Sequence, residues 1–169
     1  MSYQEHQQHA SRFVGCALIT VSDTRTEATD TSGRTIRELL ETAGHAVRQY
    51  AVVKDEPAQI RERIAAAVAD KGCRAVLING GTGISTRDRT FEAVAGLLEK
   101  RIDGFGELFR MLSFAEIGSG AMLSRALGGV YQGRVIFCMP GSTNAVRLAM
   151  EKLILPELGH LVWEMERQG

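Results

Sequence analysis

Cysteine, proline, histidine and tryptophan are all scarce in this 169-residue chain, and each scarcity excludes something. The three cysteines, Cys16, Cys73 and Cys138, are odd in number, far apart and set in the apolar runs GCALITV, GCRAVLI and RVIFCMPG. They read as reduced, buried strand residues of a cytoplasmic protein, not as a disulfide framework. The four histidines, His6, His9, His45 and His160, show no ligand spacing and no catalytic motif. Neither a zinc site nor a thiol nucleophile is expected. An excess of one charge is lacking too: 20 Lys+Arg face 20 Asp+Glu, so no overall field holds a polyanion. Neither nucleic acid nor a membrane is expected as a partner, and any anionic ligand must be held locally. No apolar run nears the roughly 20 residues of a membrane span, and the start MSYQEHQQHASR lacks the apolar core of a signal peptide. Residues 1–12 are expected to form a flexible tail and residues 13–169 a single domain.

What the chain does have is glycine, eighteen of them in clusters, and a regular alternation of apolar runs. VGCALITV at 14–21 is a continuous β-branched run, the signature of a strand buried on both faces. After the polar loop SDTRTEATDTSG, Ile36, Leu39, Leu40 and Ala43 follow helical spacing up to Gly44, a helix C-cap residue. His45 to Val53 reads as a second strand, and Pro57 opens a helix carrying Ile60, Ile64, Ala67 and Val68. CRAVLIN at 73–79 is a third strand, followed by a helix with Phe91, Val94, Ala95 and Leu98 on one face. Another helix carries Phe105, Leu108, Phe109 and Leu112; a hairpin is expected around Gln132 and Gly133; and Pro156 should end or kink the last helix. The expected fold class is α/β, a three-layer structure with a mostly parallel sheet and helices on both faces.

In such a sheet, ligands bind beyond the carboxyl ends of the strands, where loops and helix N-termini converge. Ser22 and Asp23, then Asp55, then Gly80, Gly81, Thr82 and Gly83, then Pro140, Gly141 and Ser142 meet that condition. The GGTG glycines let backbone N–H groups approach a phosphate or a planar heterocycle. Asp55 and Asp88 sit where each could cap a helix or hold Mg²⁺ over a polyphosphate. No GxxxxGK[ST] and no GxGxxG follows a strand, which disfavours a P-loop NTPase and a dinucleotide oxidoreductase. Arg110 or Arg125 could fork onto a phosphate if their segment lines a cleft.

Taken in order, TVSDTR, DTSG, NGGTGISTRDRT, DGFGELFR, AMLSRALGG and MPGS resemble the MoaB/Mog family of molybdenum cofactor biosynthesis proteins over about residues 14–158, with GELFR and EIGSG closer to the MoaB branch. The resemblance implies a molybdopterin-binding domain that assembles as a homotrimer or homohexamer. In active members it implies Mg²⁺-dependent transfer of AMP from ATP to molybdopterin, releasing pyrophosphate before metal insertion. Asp55 and Asp88 match the acidic positions associated with Mg²⁺ and catalysis. Gly80, Gly81, Thr82 and Gly83 match the loop shared by pterin and nucleotide. Ser22, Asp23, Ser32, Gly33, Glu107, Ser124, Pro140, Gly141 and Ser142 match further pocket positions. A metal-insertion protein of the pathway is the implied partner, and a non-catalytic molybdopterin carrier is the alternative function.

Overall fold

The computed structural model describes Ser2, Tyr3, Ala10 and residues 13–167, so the tail expected over residues 1–12 falls largely outside it. Strands β1 (Gly15–Val21), β2 (Ala46–Val53), β3 (Ala75–Asn79), β4 (Lys100–Arg101), β5 (Leu127–Tyr131) and β6 (Arg134–Met139) form one six-stranded sheet in the order β2-β1-β3-β6-β5-β4. The first four in that order run parallel, whereas β5 is antiparallel to both β6 and β4.

Alternation along β1 explains the layering. Cys16 and Leu18 point into one apolar cluster with Ile36 and Leu40 of helix α1 (Thr31–Thr42). Ala17, Ile19 and Val21 point into the other, with Ile60 and Ile64 of α2 (Pro57–Ala69) and Ala93 and Val94 of α3 (Thr90–Ala95). The first cluster also takes Phe105 and Phe109 of α4 (Asp103–Ile117), Val146 of α5 (Thr143–Ala149) and Leu158 of α6 (Leu155–Glu166). Placing β2 and β3 on opposite sides of β1 sends α1 and α2 to opposite faces. The same arrangement opens a crevice at the carboxyl ends of β1 and β3.

Several local expectations are corrected. Cys73 is buried but precedes β3, which begins at Ala75 because the preceding turn spends Cys73 N–H on Asp70 O. Thr31, Ser32 and Gly33 belong to the first turn of α1, where Asp30 is the N-cap and accepts from Gly33 N–H. The helix after GGTG stops at Ala95, short of Leu98, and the chain turns to add β4. Pro156 does not end its helix. A π-helical turn over Met150–Ile154 takes up the position where proline offers no N–H, and α6 runs on to Glu166. The hairpin forms as expected, with Gln132 (φ 44°) and Gly133 (φ 69°) both left-handed, as a two-residue turn of right-handed twist requires.

Candidate functional site

The carboxyl ends of β1, β2, β3 and β6 lie side by side, which brings the Ser22–Asp23, Asp55, GGTG and Pro140–Ser142 loops to one edge. Asp55 is the pivot. Only 5% exposed, it donates its backbone N–H to Asp23 Oδ1 (3.1 Å). Its carboxylate accepts from Arg89 N–H (3.2 Å) and Thr90 Oγ1 (3.3 Å). It therefore secures the first turn of α3, not its own α2, whose N-cap Glu56 makes no side-chain capping bond. Burial raises the Asp55 pKa, and the nearby charges of Asp88 and Asp23 push the same way against the two hydrogen bonds.

Gly81 shows why the loop before Asp88 is glycine-rich. Its φ is +63°, Thr90 N–H donates to its carbonyl (3.2 Å), and a Cβ there would run into Thr90 Oγ1 and Asp55 Oδ2. The space it leaves is thus filled by the Asp55 side chain, not kept open for a ligand. Gly81→Val is expected to cost about 1–3 kcal/mol of stability through a strained φ alone, and to displace Asp55. Denaturant titration and the melting temperature would measure the loss.

Asp88 does not cap α3, whose N-cap is Arg89. Its Oδ2 turns back to accept from Ser85 N–H (3.0 Å) and Oγ (2.6 Å), leaving Oδ1 without a hydrogen bond among the described residues. Arg87, which sequence reasoning left without a role, clamps two neighbouring loops: its guanidinium reaches Asp23 (2.7 and 3.0 Å) and Glu56 (2.7 Å). The Arg87 hydrogen bonds, aided by Asp55 N–H, hold the Asp23 carboxyl down at about 2.

The remaining positions divide between scaffold and wall. Ser22 Oγ accepts from the N–H groups of Thr24 (3.3 Å) and Arg25 (3.1 Å) and shapes its own turn. Ser32 Oγ donates to Gly141 O (2.6 Å), and Arg25 Nη1 reaches both Ser32 Oγ (3.0 Å) and Gly141 O (3.1 Å). Those contacts tie α1 to the Pro140–Ser142 loop. Ser142 caps α5 through Ala145 N–H (3.2 Å). Behind these, the buried Asp30 carboxylate takes hydrogen bonds from Gly33 N–H (2.9 Å) and Tyr50 OH (2.6 Å), and burial raises the tyrosine's pKa. Arg25 ends TVSDTR and Asp30 opens DTSG, but neither motif shows that its charge is spent on the scaffold, and Tyr50, twenty residues beyond Asp30, belongs to no motif.

Gly81, Thr82, Gly83, Pro140, Gly141, Ser142 and Ser124 line one cavity of about 320 Å³, completed by Ser113 and by Phe109, Ile117 and Leu123. Glu107 is not among them. It lines a separate cavity of about 360 Å³ with Arg101 and Arg110, and Ser124 alone of the expected site residues belongs to both. Asp88 faces a third depression, of about 500 Å³. Arg125 is not free to fork onto a phosphate. It donates to Thr82 O (3.2 Å) and Gly83 O, pairs with Glu92 and lies over the Phe91 ring, pinning the GGTG loop from outside.

Comparison with known proteins gives this geometry a context. The family model described as a probable molybdopterin binding domain matches residues 17–160. A Bacillus cereus protein named Molybdenum cofactor biosynthesis protein B is 56% identical over 169 residues, spanning 99% of this chain and 100% of its own. A crystal structure of a Molybdenum cofactor biosynthesis protein B superposes with a TM-score of 0.91 at 56% identity, covering 94% of this chain and 99% of the other. The tungsten cofactor synthesizing protein MoaB from Pyrococcus furiosus superposes with a TM-score of 0.81 at 34% identity, covering 90% and 96%.

Proposed function

The chain belongs to the molybdenum cofactor biosynthesis family of probable molybdopterin binding domains, and from that membership we propose that it binds molybdopterin and adenylylates it with Mg-ATP. The observation that carries the proposal is the convergence of Asp55 and Asp88 on the two sides of the GGTG loop. A terminal phosphate on the pterin is already anionic. Its attack on the α-phosphorus of ATP needs alignment and charge neutralisation more than a strong base. The lack of a histidine or cysteine at this edge is compatible with that chemistry.

The residues present fit Mg²⁺ in one particular way. No group of three or more His, Cys, Asp and Glu side chains among the described residues makes a closed metal cage. Mg²⁺ bound with a polyphosphate instead takes one or two carboxylates and leaves its other positions to phosphate and water. Asp55, made harder to ionise chiefly by burial and in smaller part by the charges of Asp88 and Asp23, is a carboxylate that a cation would relieve. Asp55 and Asp88 would hold the ion, which when bound supplies charge neutralisation to the phosphates. The backbone of GGTG and of Pro140–Ser142 would orient the ligand in the cavity between them. Arg125 and Arg25 keep those loops in place.

One observation favours the alternative of a carrier that binds molybdopterin without adenylylating it: both oxygens of Asp55 already serve the start of α3. Purified protein supplied with molybdopterin and Mg-ATP separates the two readings. Molybdopterin-dependent release of pyrophosphate is the expected result, and pterin binding without it would establish the carrier. We further propose a homotrimer or homohexamer. Leu108, Met111, Phe114, Ile117, Met122 and Leu123 expose an apolar strip that a second copy of the chain would cover. The product would pass to the metal-insertion protein of the pathway, in a reducing cytoplasm that keeps the three buried free thiols as they are. No helix among the described residues is long and apolar enough to cross a membrane.

A further inference from the structure

We propose that the depression between the start of α2 and residues 84–93 seats the β- and γ-phosphates of ATP, and then the pyrophosphate they become. This rests on the adenylyl-transfer reading and assigns a place to its leaving group. The depression holds about 500 Å³ and has Asp88 in its wall, so it adjoins the carboxylates proposed for Mg²⁺. It lies across residues 81–88 from the cavity under Pro140–Ser142, which contains none of the arginines that line it.

The charges around it are Arg61, Arg89 and Arg125 against Asp88 and Glu92. Arg125 and Glu92 satisfy each other, and the remaining donors of Arg125 go to loop carbonyls. That leaves Arg61 and Arg89, which form no ion pair among the described residues. Arg61 spends only a long Nε contact on Ala93 O (3.4 Å), and the Arg89 guanidinium makes no hydrogen bond there. Both side chains are exposed at the rim. A third feature adds to them. The thirteen-residue helix α2 begins here at Pro57, and its N-cap carboxylate, Glu56, is drawn away to Arg87. With Glu56 held by Arg87, that carboxylate does not compete for the two arginines. Two unpaired guanidiniums beside the carboxylate proposed for Mg²⁺ suit a compact, highly charged, metal-associated anion such as pyrophosphate.

The step balances. An oxygen of the pterin phosphate forms a bond to the α-phosphorus, and the bond from that phosphorus to the bridging oxygen breaks. The electron pair stays on the bridging oxygen, which leaves as part of pyrophosphate without any proton having to move. Arg61 and Arg89 would meet the charge that grows on that oxygen and its neighbours.

Isothermal titration of the full chain tests this with two probes, inorganic pyrophosphate and AMP, each in the presence of Mg²⁺. Arg61→Gln and Arg89→Gln are each expected to weaken pyrophosphate about tenfold, and the double variant about a hundredfold. AMP affinity and melting temperature should stay near wild type, since both side chains are exposed and bear no structural ion pair. Pyrophosphate binding to the double variant within about twofold of wild type would overturn the subsite. So would a wild-type protein that binds AMP but not pyrophosphate, and either result leaves adenylyl transfer standing. Failure of the wild type to bind either probe overturns the subsite and the adenylyl-transfer reading together.

Discussion

Asp55→Asn and Asp88→Asn are each expected to slow adenylyl transfer by about a hundredfold or more, the scale of losing one preorganised charge-stabilising group, while molybdopterin affinity changes little. The structure makes these clean substitutions. Asparagine at 88 keeps an oxygen to accept from Ser85 N–H and Oγ, and asparagine at 55 keeps one for Arg89 N–H and Thr90 Oγ1. The two variants should differ in stability. The folded-state pKa of Asp55 lies above its ordinary value, chiefly through burial. The folded protein therefore holds that proton more tightly than the unfolded chain. The stability this contributes is fully present below the unfolded pKa of 3.8 and is lost as pH rises through the raised folded value. At neutral pH the ionised Asp55 is a liability, so Asp55→Asn should melt no lower than wild type there, and the margin should shrink on acidification. Pyrophosphate release, pterin affinity and a melting series over pH report the three effects separately. Near-wild-type transfer by both variants would sink the catalytic assignment and leave Asp55 as a tie between loops.

Introducing a carboxylate into the apolar strip, as Phe114→Glu or Met111→Glu, is expected to convert the assembled protein into monomers. Leu108, Met111, Phe114 and Ile117 recur every three residues along α4, and with Met122 and Leu123 of the following 3₁₀ segment they are 47–77% exposed. Full burial of such a side chain from full exposure is worth roughly 1.5–3 kcal/mol, of which covering the exposed part supplies a share, and six together are more than a monomer ordinarily leaves uncovered. A buried unpaired carboxylate reverses that gain. Light scattering should show a fall from trimeric or hexameric to monomeric mass. A second readout follows from geometry: Ile117 and Leu123 also line the GGTG cavity. Dissociation should therefore weaken molybdopterin binding, although no residue of the GGTG or Pro140–Ser142 loops has changed. A wild-type protein that is monomeric at micromolar concentration would defeat the assembly and this coupling.

Reading the chain alone established the parallel core, because β1, β3 and β6 are buried on both faces and announce themselves as continuous apolar runs. It also established which loops share an edge, since strand-to-helix order fixes which strand ends face the same way. Asp55 and the GGTG loop could be placed together on that ground before any contact was known. Gln132 and Gly133 marked where the hairpin turns, and the structure supplies its register.

The rest needed tertiary structure, because periodicity records that a face is covered and not what covers it. The stripe of α4 was expected to pack inward as a whole, yet Phe105 and Phe109 enter the core while Leu108 stays half-exposed beside Met111 and Phe114. Sequence spacing could not divide a helix between its own sheet and a second surface. The two-residue strand β4 leaves no periodic trace and forms only because β5 offers it a partner. The resemblance matched Glu107 to a pocket position, and the packing of α4 puts it in a cavity separate from that of the GGTG loop. Asp55 and Asp88 looked alike in sequence as acidic residues before helices. Long-range hydrogen bonds made Asp55 a buried link from β2 to α3, whereas Asp88 turns back on Ser85 three residues earlier and braces its own loop; the partners of Asp55 are fixed by how elements meet and not by the residues on either side.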